Sequence, residues 1–411
     1  MQNSRIFQWR AVSRALALAP FITIGGVSAQ PSPPRARLVE DLRLDAKKED
    51  FPAIAAIAVG PRNQIVIPID GDRQIRVYDA NGKRIGSVGR RGKGPGEFEY
   101  IGPLMWKADT LVVDDYSQRR FTYISPDVKV LRTAVYPTMK SVQLGARKFD
   151  GAPGTGVGPR TAPHRPFAML PDGSQLAYWN EPVKNPTPLQ IALGGPLYIV
   201  HVTLDGTART IFNASDYTDD RIAMEAFGFG EFAPFTFVPK TVASATGDRL
   251  AHLASIATSS EGGTFTVSLF RSNGDVAFVR TFPFRGVPIP KAARDSEIAD
   301  YANGGEGGKA VSDRFQEQAR QKMPLAYAGV DDVLAGLDNT VWISLRATAE
   351  GRPVLVLNAK GDPIATVLVP KNSRLRQASA THVWMTEKDS DGLVSVVRYK
   401  VSGISCGSTG C

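Results

Sequence analysis

The stretch that decides the fold is residues 63–82, which read NQIVIPIDGDRQIRVYDANG. A polar turn at Asn63 and Gln64 leads into an apolar run, and a second run ends at Tyr78 beside the turn residues 79–82. Asp, Asn and Gly occur there because they tolerate the positive φ that a hairpin turn requires. Each half is typical of a short β-strand next to a tight turn.

This unit recurs along the chain, and an internal repeat determines the fold before any local motif does. The first element is found at 63–67, 109–113, 174–178, 248–252, 339–343 and 381–385. The second element follows at 77–82, 123–127, 201–206, 269–274 and 356–361. One strand before and one after each copy, as at 167–170 and 276–279, complete a four-stranded antiparallel sheet.

Six sheets of this kind bury their faces most simply by stacking radially, which predicts an all-β, six-bladed β-propeller. The last copy supplies only about three strands, whereas residues 37–44 precede the first copy without a blade of their own. We therefore expect 37–44 to be the outer strand of the last blade and to close the ring. A β-helix or a pair of sandwiches is the alternative, and both fit the repeat less simply.

The repeat also sets the expected domain boundaries. The propeller is predicted within residues 30–403, followed by a tail at 404–411. The predicted blades are 53–90, 98–137, 165–213, 236–284, 325–370 and 372–401, the last one completed by 37–44.

The first 29 residues are typical of a cleaved signal peptide. Three arginines precede the apolar run 15–24, and small residues stand at 27–29. That run is too short to cross a bilayer, so we expect an exported chain, periplasmic or extracellular, with no transmembrane segment after cleavage. Removing residues 1–29 lowers the formal net charge from +9 to +6. The remaining basic residues are scattered and are not interleaved with aromatic residues, which argues against nucleic-acid binding.

A glycine-rich linker, GRRGKGPGEF at 89–98, is followed by DDYSQRRFTYI at 114–124. Over residues 54–136 the chain resembles NHL-type six-bladed propellers, in which such a linker precedes the inner strand of the next blade. The resemblance implies that Phe98 packs in the groove between two blades. The linker lacks the Gly-Lys-Ser/Thr ending of a phosphate-binding loop, and no helix is expected after it.

Two segments exceed what a blade needs and are candidate binding regions. The first, 145–165, is rich in Gly and Pro and is predicted to be a mobile loop. A solvated insertion without a ligand is the simpler interpretation, and a basic loop that meets an acidic ligand at the mouth of the channel is the alternative. Its candidate binding residues are Arg147, Lys148, Arg160, His164 and Arg165. The second, 287–324 between blades four and five, is predicted to contain a helix because apolar residues recur at 311, 315, 319 and 323. A shorter helix is expected at 295–301, and packing onto the propeller is the simplest role for both.

Metal chemistry is the alternative to simple binding. Polar residues at the ends of equivalent second strands lie on one side of the ring, which makes a calcium site conceivable; they are Asp70, Asp115, Asn180 and Glu387. A zinc site would draw on His252 and His382, but such histidines more often sit among blade side chains. The only two cysteines, Cys406 and Cys411, are expected to form a disulfide in the tail, because no third ligand lies nearby.

No serine nucleophile motif is present, so the sequence favours a non-catalytic binding scaffold without a cofactor. Its expected partner is a protein, a peptide or an envelope polymer. A metal-dependent hydrolase, lactonase or lyase that holds Ca²⁺ or Zn²⁺ at the propeller axis is the second hypothesis. A structural module of an envelope assembly is the third, and it predicts an exposed apolar patch on the helical insertion.

Overall fold

The structure is a computed structural model, and it describes residues 33–51, 54, 56–136, 139–150, 165–170, 172–181, 197–214, 221–224, 229–232, 234–302, 313–404 and 411. The chain divides into two compact units, Met1–Ser32 and Pro33–Cys411, and all described residues belong to the second. The predicted signal peptide at 1–29 lies outside the described residues, as do Arg160, His164 and Cys406.

The second unit is built of successive antiparallel sheets. Sheet 1 contains β2 (Ala58–Val59), β3 (Ile65–Ile69), β4 (Gln74–Tyr78) and β5 (Arg84–Val88). Sheet 2 contains β6 (Leu104–Lys107), β7 (Thr110–Asp115), β8 (Arg120–Ile124) and β9 (Val130–Val135). Sheet 3 contains β12 (Arg165–Met169), β13 (Gln175–Asn180), β14 (Leu197–Val202) and β15 (Thr207–Asn213), extended at its outer edge by β10 (Ser141–Leu144) and β11 (Arg147–Asp150).

The later sheets follow the same plan. Sheet 4 contains β18 (Lys240–Ala243), β19 (Arg249–Ser259), β20 (Gly262–Arg271) and β21 (Val276–Arg285). Sheet 5 has a first half of β22 (Val330–Ala335), β23 (Val341–Leu345), β24 (Arg352–Leu357) and β25 (Pro363–Val369), and a second half of β26 (Ser373–Ala378), β27 (His382–Lys388), β28 (Val394–Ser402) and β1 (Arg35–Leu44). A separate hairpin consists of β16 (Arg221–Met224) and β17 (Phe229–Phe232).

Helices are few. The described helices are α1 (Ala46–Glu49), α2 (Lys291–Ala302) and α3 (Asp313–Lys322). Helix α3 arises where the apolar spacing predicts a helix, and Ala319 and Met323 are buried. Helix α2 is longer than the helix expected at 295–301, because Pro290 has a φ suited to a helix start and its carbonyl accepts a hydrogen bond from Arg294 N at 3.2 Å.

The hydrophobic core lies between the sheets. Phe98 is fully buried between sheets 1 and 2, as the linker predicts, in a cluster with Val66 and Val113. Further clusters join sheet 2 to sheet 3, sheet 4 to the first half of sheet 5, and the two halves of sheet 5 to each other. Leu250 of sheet 4 lies in the cluster of sheet 3. Each sheet therefore covers a face of the next, which makes the fold all-β and propeller-like.

The last sheet packs back on the first. Trp384 and Val396 of sheet 5 share a cluster with Ile67 and Tyr78 of sheet 1. Strand β1 pairs with β28 from Arg37↔Ser402 to Leu44↔Val396, next to the strands expected to form the last blade. An N-terminal strand thus completes a sheet made of C-terminal strands, which ties the two ends of the unit together.

The prediction of a mobile loop from residue 145 is wrong at its start. Gly145 has a φ of +57°, and the chain turns there into the hairpin β10–β11. Strand β10 pairs in parallel with β15, from Ser141↔Thr207 to Gln143↔Arg209. Because this partner lies far along the chain, local sequence patterns do not reveal the pairing. Residues 151–164 lie outside the described residues.

Candidate binding face

The two edges of the sheets differ in the length of their connections. Because neighbouring strands within each four-strand unit are antiparallel, the turns after first and third strands share one edge, which we name the short-turn face. These turns are 60–64, 79–83, 108–109, 125–129, 170–174, 203–206, 244–248, 272–275, 336–340, 358–362 and 379–381. The opposite edge, which we name the insertion face, carries the long connections 89–103, 136–164, 181–196, 214–239 and 286–329.

The short-turn face is closed at its centre. Trp106 is 5% exposed, and its backbone N–H donates a 3.1 Å hydrogen bond to the carbonyl of Ala245 in the first turn of sheet 4. Its ring packs so closely on Gly60 of sheet 1 that a Cβ there would lie 2.7 Å from Cζ2. Sheets 2 and 4 are not neighbours in the stack, so this contact crosses the centre of the unit.

Other first turns join the same closure. The guanidinium of Arg249 donates to the carbonyls of Gly336 and Asp338, which links sheet 4 to sheet 5. Asp338 Oδ2 accepts a 2.6 Å hydrogen bond from Ala380 N in the second half of sheet 5. Leu337 N donates to Ala378 O at 2.7 Å. A ligand that approaches the centre therefore meets packed turns on this side.

The centre of the insertion face is polar and charged. First strands begin there, and Lys240 Nζ at the start of β18 lies 3.1 Å from Asp332 Oδ1 and 2.7 Å from Asp331 O. Arg376 on β26 donates to Thr386 Oγ1 at 2.9 Å and to Ile54 O at 3.2 Å. Burial and the nearby Arg374 lower the pKa of Arg376, whereas the charge of Asp332 opposes that shift.

The predicted metal ligands lie at strand ends on this face, but the structure gives the two buried ones other partners. Asp115 Oδ2 accepts from Glu99 N at 2.9 Å and Gln118 Nε2 at 2.7 Å, which holds the linker against the β7–β8 turn. Glu387 accepts from Arg43 at 2.8 Å, from Ser373 at 3.2 Å and from the Tyr399 hydroxyl. Glu387 thus ties β1 to the second half of sheet 5.

The remaining candidates for a metal site are dispersed. Asp70 is partly exposed in the β3–β4 turn, where its carbonyl accepts from Arg73. Asn180 is partly buried at the end of β13, paired with Leu197. Within the described part of the chain, no three His, Cys, Asp or Glu side chains lie close enough together to hold a metal ion. The structure does not bring the four together.

The histidines considered for zinc sit among side chains of the sheets, and within the described residues neither has two further possible metal ligands gathered around it. His252 is buried on β19, its Nδ1 lies 2.9 Å from Thr241 Oγ1, and the Phe212 ring meets it edge-on. Burial lowers the pKa of His252 to about 4, so the ring is neutral at pH 7. His382 lies on β27 with Nε2 at 3.8 Å from Asp41 Oδ2, and burial is the main cause of its lowered pKa.

The predicted basic residues are only partly described. Arg147 lies on β11, and its Nη1 forms a 2.6 Å ion pair with Glu181 Oε1 on the insertion face. Lys148 is exposed on the same strand. Arg165 begins β12, where its backbone pairs with Tyr178. Arg147 and Lys148 are therefore strand residues, and their proposed role in ligand binding stays a prediction.

A cleft that the sequence analysis missed opens on the insertion face of sheet 4. It has a volume of about 230 Å³ and lies between residues 235–237, the end of β19 and the segment 321–328, which begins at the end of α3. The strands of sheet 4 are long: β19 and β20 have 11 and 10 residues, whereas β3 and β4 of sheet 1 have five each. Sheet 4 therefore extends beyond its neighbours on this side.

The C-terminal residue returns to the short-turn face. Cys411 is disulfide-bonded, and its carbonyl accepts a 2.9 Å hydrogen bond from Ala359 N in the β24–β25 turn. Its expected partner Cys406 lies outside the described residues, so the pairing stays a prediction. Within the described residues, no helix is long and apolar enough to cross a membrane.

Comparison with known proteins gives only distant likenesses. The sequence matches no family model and no curated protein. Among solved structures, a member of the DUF4221 family from Bacteroides vulgatus is similar at 9% identity and a TM-score of 0.44, over 90% of this chain and 99% of that chain. A virginiamycin B lyase from Staphylococcus aureus is similar at 10% identity and a TM-score of 0.37, over 89% and 99% of the two chains. At these TM-scores the likenesses carry no argument about this chain.

Proposed function

We propose that this protein is an exported, non-catalytic binding scaffold whose insertion face contacts a protein, a peptide or an envelope polymer. The observation that supports the proposal is the asymmetry of the two faces. All long connections leave the sheets on one face, whereas short turns and the Trp106 contact close the other. Extra chain on a rigid scaffold is where binding residues are most often found.

We also propose that the scaffold has six blades and belongs with the NHL-type propellers. The two halves of sheet 5 are joined through β1 by a parallel pairing of only Arg35↔Thr366 and Ala36↔Val367. Trp342 and Val354 of the first half pack face to face with Val383 of the second, which favours two blades over one flat sheet. The buried position of Phe98 supports the family resemblance.

The test uses the mature chain, residues 30–411, against two probes: a displayed library of random twelve-residue peptides and heparin as an anionic polymer. The matched variant replaces residues 290–324 by two glycines. This excision suits the fold because Ile289 N and Leu325 O, 2.9 Å apart, and Tyr327 N and Val287 O, 3.0 Å apart, already hold the two ends of the insertion together. We expect the excision to weaken binding of at least one probe about tenfold or more.

A substitution on the other face is the control. Leu204 is 66% exposed in the β14–β15 turn of the short-turn face, so Leu204→Glu should leave binding unchanged. Equal loss of binding in both variants would contradict the proposal. One equivalent of tightly bound Ca²⁺ or Zn²⁺ in the purified chain, together with hydrolase or lyase turnover that a chelator removes, would also overturn it.

A further inference from the structure

The first two strands of sheet 4 separate on the insertion face. Strand β18 pairs with β19 only from Lys240↔Leu253 to Ala243↔Leu250. Strand β19 continues beyond Leu253 to Ser259, and there it pairs with β20 on its other side. The edge of β19 from residue 254 to 259 therefore has no partner strand among the described residues, and it presents backbone N–H and C=O groups.

The cleft occupies the space between the separated strands. Residues 235–237, which would continue the β18 ladder, line one wall, and residues 255–259 of β19 line another. Phe235 adopts a φ of +65° and sets its ring edge-on to Tyr327, with centroids 5.5 Å apart, and the Arg346 guanidinium stacks on Tyr327 at 4.0 Å. A non-glycine residue rarely holds such a φ, so packing keeps this wall turned away from β19.

Two hydroxyl groups in the cleft lack hydrogen-bond partners among the residues that the structure describes. Ser255 Oγ and Thr236 Oγ1 are buried atoms, and within the described part of the chain neither has a hydrogen-bond partner. Both residues line the cleft, Ser255 on β19 and Thr236 in the segment that precedes β18. A buried hydroxyl without a partner costs about 1–3 kcal/mol, so a polar ligand that bonds both hydroxyls would gain free energy on binding.

The rest of the lining limits the chemistry of that ligand. Met323 and the aromatic rings of Phe235 and Phe237 provide apolar surface. Ile256 and Leu325 also line the cleft, and they are 51% and 48% exposed. Lys322 is the charged residue among the lining residues, which include no acid. An open strand edge, apolar pockets and isolated hydroxyls together match a polypeptide in extended conformation.

We propose that an extended segment of a partner protein adds as a strand to the edge of β19 at residues 254–259. Its backbone pairs with β19, one apolar side chain enters the cleft beside Phe235 and Phe237, and its polar groups bond Ser255 and Thr236. The segment carries neutral or acidic residues, because Lys322 stands at the cleft. The proposal rests on the binding function proposed above and assigns it a site and a class of ligand.

The test begins with peptides selected from the random twelve-residue library on the mature chain. Each peptide is remade with N-methyl groups at alternate residues, which removes backbone donors along one edge of the strand and leaves the side chains in place. We expect one of the two N-methylated registers to bind at least tenfold more weakly by fluorescence anisotropy. Selected peptides should alternate apolar and polar residues and should be poor in Lys and Arg.

Two variants locate the site. Ala257→Trp fills the cleft and should weaken binding at least tenfold, whereas Thr281→Trp, on the exposed outer strand of the same sheet, should not. Ser255→Ala should weaken binding about tenfold while the melting temperature stays equal or rises, because a buried hydroxyl without a partner is removed. A structural role alone would lower the melting temperature, so the Ser255 variant tests the site even if the tryptophan variant fails to fold.

The outcomes separate this inference from the proposed function. Peptides that bind wild type and Ala257→Trp equally, yet lose binding after excision of 290–324, would overturn the strand site and leave the binding function standing. Equal binding by both N-methylated registers would also overturn it. A library that yields no binding peptide would overturn the site directly, and the heparin result would then decide whether the broader function survives.

Discussion

The short-turn face and the insertion face are made by the same strands and yet differ in how their polar groups are satisfied. On the short-turn face, backbone amides and carbonyls bond one another between sheets 2 and 4, as Trp106 with Ala245, and between the two halves of sheet 5, as Leu337 with Ala378. On the insertion face, β19 continues past its partner strand and two buried hydroxyls lack partners among the described residues. The comparison teaches that one face is closed by bonds between its turns, whereas the other leaves a strand edge and a cleft open.

The largest change in the free energy of unfolding is expected for a substitution at the closed centre of the short-turn face. Trp106→Ala should lower the free energy of unfolding by about 3–5 kcal/mol, because it removes a large buried side chain that three sheets contact. Tyr116→Ala is the control on the insertion face, where Tyr116 is 42% exposed and its ring packs edge-on to Tyr100. We expect a loss of about 1 kcal/mol or less there, measured by urea denaturation. Similar losses in the two variants would contradict the assigned asymmetry.

An intermediate change in the free energy of unfolding is expected on acidification. It arises at His252, on the part of β19 that is still paired with β18. Burial lowers its folded-state pKa to about 4, against about 6.5 in the unfolded chain. The neutral ring therefore stabilises the fold above pH 6.5, and this contribution, about 3 kcal/mol, is lost as the pH falls from about 6.5 to about 4.

The measurement for His252 is a series of urea titrations between pH 7.5 and 4. His201 and His382 also have lowered pKa values and add to the acid sensitivity, so only the comparison with His252→Gln isolates the effect. The stability difference between wild type and variant should shrink on acidification. A difference independent of pH would show that His252 titrates normally and that this part of β19 is open to water.

The smallest change in the free energy of unfolding is expected for a substitution at the edge of the insertion face. Arg147 is 62% exposed, and its ion pair with Glu181 faces solvent on one side. Arg147→Ala should change the free energy of unfolding by less than about 0.5 kcal/mol. A double-mutant cycle with Glu181→Gln measures the pair directly. A coupling above about 1.5 kcal/mol would mean that this hairpin is part of the stable scaffold and would weaken the contrast between the faces.

The repeat predicts the strands well because strand alternation and turn residues are local properties. The runs at 65–67, 111–113 and 341–343 all lie within strands, and residues 37–44 pair where ring closure requires. The hairpin at 141–150 escapes prediction because its parallel partner β15 follows only after a whole segment of intervening chain. Position in sequence gave no information about that contact.

Less of the candidate site than of the fold could be predicted from the sequence. Asp115 and Glu387 lie at the strand ends where acids were expected, but their oxygens accept bonds from backbone and side-chain donors that only the folded chain brings near. The cleft beside Ser255 depends on the direction in which residues 235–237 leave β18, and this direction is set by the ring contact of Phe235 with Tyr327. Neither feature has a local sequence signature.

The positions of the described chain ends would also set the orientation of the molecule if it were tethered. Strand β1 starts at Arg35 beside the last residues of β28, and Cys411 is held at the β24–β25 turn, so both ends of the described chain lie on the short-turn side. A linker attached at Pro33 or at Cys411 would turn the closed side toward its support. Sheet 4 and the long connections would then point away from the support, with the cleft accessible to a molecule arriving from solution.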